Sequence, residues 1–95
     1  DTLGETIVKI MSLEEDINTR IDELVQQKAD AMRRIQNVPD QDQQNILIAR
    51  YVNGEKWEKI AVEIHFSMRQ VHRIHGTALI DFAKQNLDIW QNGTL

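Results

Sequence analysis

Residues 57–79, WEKIAVEIHFSMRQVHRIHGTAL, decide how this chain folds. Trp57, Ile60, Ala61 and Ile64 recur at i, i+3, i+4 and i+7, which is one apolar helical face. His65 and Phe66 interrupt that pattern, and Ser67 follows with Gln70 three residues later. A hydroxyl that accepts from exposed backbone N–H groups, paired with an amide that reaches back, starts a helix with a capping box. The stretch therefore predicts a helix, a tight turn and a second helix that begins at about Met68.

The second helix separates into two faces. At about 100° per residue, Val71, Ile74, Ala78 and Phe82 fall within one arc, and Arg69, Gln70, His72, Arg73, Gly76 and Thr77 fall on the opposite arc. No Asp or Glu occurs between Glu63 and Asp81. An acid-free face carrying Arg and Gln is what reading DNA requires, because both side chains can make paired hydrogen bonds to base edges in the major groove. Cations there also gain affinity by releasing counterions. Gly76 on that face lets backbone approach phosphate or sugar.

These residues resemble a known family. The segment is similar to the helix–turn–helix of sigma-factor region 4, above all the phage-encoded, RinA/ArpU-like transcriptional regulators of Gram-positive prophages. The resemblance rests on Arg50-Tyr51, Gly54, Trp57, Ile60-Ala61, Ser67, Arg69-Gln70-Val71, Arg73-Ile74-His75-Gly76 and Ala78-Leu79, and covers roughly residues 44–82. It implies a sequence-specific DNA-binding regulator of a phage or prophage, working on double-stranded DNA in the cytoplasm of a bacterial host, with RNA polymerase as a further potential partner. Arg69, Gln70 and Arg73 would lie nearest the bases. Ser67, His72 and the Lys56 and Lys59 end of the preceding helix would contact backbone, with Gly76 and Thr77 on the same face. Two positions depart from the family pattern. His65 stands in the turn where such motifs usually carry Gly, and Lys56 stands where Ser or Thr often caps the first helix.

Composition narrows the alternatives. The 95 residues make one small domain, or a smaller domain plus an extended helix. The absence of Cys removes disulfides and thiolate metal sites. No apolar run approaches membrane-spanning length, no signal-peptide pattern opens the chain, and its start at Asp1 leaves room for residues upstream. There is no GxSxG, Gly-rich phosphate loop or HExxH, so the reading is not an enzyme. His72 and His75 lack a nearby carboxylate or thiolate to complete a metal shell, so neither metal nor cofactor is expected. The net charge of −4 looks wrong for a DNA binder, but residues 65–80 carry two Arg and no acid while every other block is net acidic. Acid elsewhere steers that one face toward DNA.

Upstream, residues 2–36 read as one long helix. A heptad places Ile7, Glu14, Ile21, Lys28 and Ile35 at position a, and Ile10, Ile17, Leu24, Ala31 and Val38 at position d. Met11, Val25 and Met32 widen the stripe. Glu14 and Lys28 would each face its own copy in a parallel pair, so an antiparallel pair or packing on the chain's own helices is favoured. Glu14, Glu15, Asp16, Asp22 and Glu23 form a solvated face.

Pro39 breaks this helix and suits the first position of the next, which should run to Tyr51 or Val52 and end at Asn53-Gly54 in a left-handed cap. The expected core of the unit is Ile46 or Leu47, Tyr51, Trp57, Ile60, Ala61, Ile64, Phe66, Val71, Ile74 and Ala78. Periodicity of the last helix continues to Ile89-Trp90, with Asn92-Gly93 as the stop, and Ile80 and Leu87 lie on a second apolar side. Surplus apolar surface at both ends predicts a homo-oligomer, most simply a dimer. The expected fold is all-α: a long coiled-coil-like helix over residues 1–37, then a sigma-region-4-like helix–turn–helix domain over residues 38–95, whose three helices end in an extended last one. Two other readings fit the same pattern. One is a DNA-recognition protein like the small subunit of phage terminases. The other is a sigma-like module that docks on RNA polymerase without binding DNA alone.

Overall fold

The structure, a computed structural model, describes residues 2–88. The fold is all-α. Helix α1 (Thr2–Ile35) is followed by α2 (Gln41–Leu47), which runs on into a π-helical turn (Ile48–Val52), then α3 (Trp57–Ile64) and α4 (Met68–Gln85). The expected start at Met68 is the observed one. Ser67 Oγ accepts from Gln70 N at 3.2 Å, and Gln70 Oε1 accepts from Ser67 N at 2.9 Å, so both halves of the capping box form. The expectations at Ile89-Trp90 and Asn92-Gly93 lie outside the described residues.

Two apolar clusters hold the helices. Buried Ile46, Ile60, Ala61 and Val71 bring α2, α3 and α4 together, with half-buried Trp57, Ile64, Phe66 and Ile74 around them. Buried Ile35, Val38, Leu47 and Ala78 join the foot of α1 to α2 and α4, with Val52 and Phe82 packed alongside. The last turn of α1 is thus part of the helix–turn–helix core. An ionic clasp reinforces that junction: Arg34 donates to both oxygens of Asp88 at 2.9 Å and to Asp30 at 3.1 Å. The hydrogen bonds from Arg33 and Arg34 hold the Asp30 carboxyl below its usual range, and the paired carboxylates raise the already basic Arg34 further.

Tyr51 corrects the expected core, being 53 % exposed. The reason is the π-helical turn. Asn53 N donates to Ile48 O, five residues back, at 3.0 Å. One extra residue in a turn rotates everything after it out of α-helical phase. Val52 takes the inward place one turn below Leu47, and Tyr51 swings out.

Two end signals also differ from expectation. Pro39 does not open α2: Asp40 is its N-cap, with its carboxylate accepting from Gln43 N at 2.9 Å, and Pro39 precedes it. Helix α4 does not run unbroken to Ile89. Asn86 interrupts it with φ −132° and ψ 51°, and its amide donates to Phe82 O at 2.8 Å and to Arg34 O at 3.4 Å. That side chain satisfies carbonyls at the ends of two helices at once, which explains a 3 % exposed polar residue.

The turn between α3 and α4 is left-handed at His65, with φ 60° and ψ 36°. A side chain there is strained by about 1–2 kcal/mol relative to right-handed backbone, which Gly avoids. His65→Gly is therefore expected to raise stability, by up to about 1 kcal/mol after the extra chain entropy of Gly is subtracted. Urea unfolding of the two proteins measures it, and a loss of stability would show that the imidazole is held by more than backbone geometry. Lys56 caps α3 without a side-chain hydrogen bond, as the sequence implied. Gly54, at φ 68°, supplies the left-handed cap before it.

Candidate functional site

Helix α4 buries Val71 and Ala78 and turns the opposite side outward. Ser67, Arg69, Gln70, His72, Arg73, Gly76 and Thr77 are all exposed along its first three turns. Periodicity foresaw this arc, and the capping box fixes where it begins. Neither Arg69 nor Arg73 makes an ion pair with any described residue. A Cβ built on Gly76 would meet nothing within 4 Å among the described residues. Gly inside a helix costs about 1 kcal/mol relative to Ala, and packing within this chain does not call for it.

The other candidate residues are not equivalent. Lys56 is exposed at the start of α3 and has no ion pair among the described residues. Lys59 sits between Glu55 at 3.5 Å and Glu63 at 3.7 Å, so its charge is largely offset locally. Gln70 Oε1 is occupied by the cap, which leaves the Nε2 donor for any ligand. Thr77 Oγ1 donates to Arg73 O at 3.3 Å.

His72 is exposed but leans on Trp57, with ring centroids 5.2 Å apart. It belongs to a cluster that the sequence shows only in part. The edge of His75 meets Trp57 at 4.6 Å, the Arg50 guanidinium stacks over the Trp57 ring at 4.6 Å, and Tyr51 Oη lies 2.8 Å from His75 Nε2. Arg50 is further fixed by donating to Glu55 O at 2.9 Å. Burial, reinforced by the nearby His72 and Arg50 charges, pushes the His75 imidazole below its usual range. It is therefore neutral at pH 7. Periodicity places Trp57 in the expected core, and the structure leaves it half-buried at the core's edge. The Arg50 stack and the Tyr51 bond are not legible from periodicity, because they depend on the π-helical turn.

A second unforeseen neighbour is acidic. Arg73, Ile74 and Thr77 share a cleft of about 240 Å³ with Asp40, Asp42 and Gln43 from the start of α2. It places two carboxylates at one flank of the cationic arc, which narrows where an anion can sit. Among the described residues no three His, Asp or Glu side chains converge as a metal site would need, and no helix is long and apolar enough to cross a membrane.

Residues 4–82 match the family described as a protein of unknown function, DUF1492, and the chain belongs to that family. Neither the curated proteins nor the solved structures give a match.

Proposed function

We propose that this member of the DUF1492 family is a sequence-specific, DNA-binding transcription regulator whose helix α4 enters the major groove. One observation carries the reading: the exposed arc of α4 is free of acid, holds two Arg one turn apart without ion pairs among the described residues, and has at its centre a Gly that packing among those residues does not need. A helix about 10–12 Å across fits a groove about 12 Å wide. In that pose Arg69 and Arg73 reach base edges. Gln70 offers a single donor, since bidentate contact to adenine would break the cap. The Ser67 hydroxyl, Lys56, His72 and Thr77 lie where phosphates pass. Lys59 contributes little beside its two carboxylates. The resemblance to phage-encoded sigma-region-4-like regulators supports a promoter target in phage or prophage DNA.

Fluorescence-anisotropy titration against duplexes tiling the DNA around the protein's own gene tests this at two salt concentrations. The expected result is preference for one duplex and an affinity whose logarithm falls with log salt by about 0.9 per phosphate neutralised. A folded protein that binds none of the duplexes would reject direct recognition. It would leave RNA polymerase, or another protein, as the partner of this face.

A further inference from the structure

We infer that α1 pairs antiparallel with α1 of a second copy of this chain, with the partner's Ile7 end seated at the foot of the first helix. The inference concerns the helix opposite the DNA-facing arc and stands independently of the DNA reading.

Every residue of α1 from 5 to 29 is exposed, and among the described residues its packing on α2 and α4 comes from its last turns. The radius of gyration is 18.9 Å, against about 12 Å for a compact chain of this length, because the helix projects alone. The apolar a and d residues from Ile7 to Leu24 lie open, between Ile7 at 48 % and Ile17 at 54 % exposed, with Met11, Leu13 and Val25 beside them. Half exposure is what a lone helix leaves to such a side chain. A continuous apolar stripe over several turns of a projecting helix is the kind of surface that marks an interaction site.

Charge selects the partner and its direction. The stripe is broken twice, by Glu14 and by Lys28, which are opposite in sign. A parallel copy sets Glu14 against Glu14 and Lys28 against Lys28. An antiparallel copy with its axis near residue 19 layers Ile17 on the partner's Ile21, and brings Glu14 within one turn of the partner's Lys28. The same register layers Ile7 on the partner's Ala31. There the stripe runs into an open apolar cavity of about 210 Å³, lined by Ala31, Ile35, Leu47, Tyr51, Leu79 and Phe82. Exposure of Tyr51 and Leu79, which the chain's own core leaves uncovered, is explained by the same occupant. In this register the two Arg20 side chains approach across the axis, with Asp16 and Glu23 one turn away on each helix to offset their charge.

The pairing sets the two helix–turn–helix units at opposite ends of the rod. With no native Cys, a single spin label at Glu5→Cys, outside the stripe, reports the direction. Sedimentation at micromolar concentration is expected to give a dimer, and pulsed dipolar spectroscopy a label separation of roughly 40 Å from the 1.5 Å rise per residue. Lys28→Glu should weaken the dimer about tenfold by placing like charges together, and Glu14→Lys/Lys28→Glu should restore it. A monomer, a larger oligomer, or a dimer with labels under about 20 Å apart would overturn the inference, since neighbouring helices sit only 8–10 Å apart.

Discussion

Ile60→Ala should destabilise the protein by about 2–5 kcal/mol, the range for removing three carbons from a sealed core. Ile60 is 0 % exposed and stands where α2, α3 and α4 meet, against Ile46, Ala61 and Val71. Its neighbours are anchored on three helices, so the gap cannot close by sliding one of them. For a domain with a total stability of about 5–15 kcal/mol, such a loss approaches global unfolding. Val62 is the internal control: it lies on the same helix, two residues on, and is 74 % exposed. Val62→Ala should change stability by no more than about 0.5 kcal/mol. Urea melts followed by tryptophan emission report on this core through Trp57, which packs at its edge. A cost below about 1 kcal/mol for Ile60→Ala would mean that the site's scaffold is not held by this cluster.

What the sequence made legible was what neighbours settle among themselves. The Met68 start, the exposed arc of α4 and the weak cap at Lys56 are decided within one or two turns, by residues three or four apart. The features that escaped are those in which one local choice overrides the period, or two distant segments meet. Nothing in Ile48–Val52 announces a π-helical turn, and that turn alone moves Tyr51 out of the core and onto His75. The Arg34–Asp88 clasp spans 54 residues, and the Asp40/Asp42 flank beside Arg73 joins two helices. Position in sequence does not predict such meetings. The α1 stripe is an intermediate case: its period shows which face is apolar, and only the structure shows that the chain itself leaves most of that face uncovered.

Arg69→Ala/Arg73→Ala should weaken binding to the preferred duplex by roughly 10²- to 10⁴-fold, from about 1–3 kcal/mol for each bidentate base contact. Both side chains are exposed and without ion pairs among the described residues, so the unfolding free energy should stay within about 0.5 kcal/mol of the parent's. That separation makes the loss interpretable as a loss of contact. Lys9→Ala/Arg33→Ala removes the same formal charge from the exposed surface of α1, away from the arc, and should cost little beyond the long-range field. The pattern across duplexes then assigns each Arg. A base reader lost at one position flattens the preference there, whereas a lost phosphate contact weakens all duplexes alike and lowers the salt slope by about one. Because the two residues lie one turn apart on one ligand, the double loss need not equal the sum of the single ones, and the single variants have to be measured as well. Parent-like affinity and preference in the double variant would remove α4 from the DNA and leave its acid-free face to a protein partner.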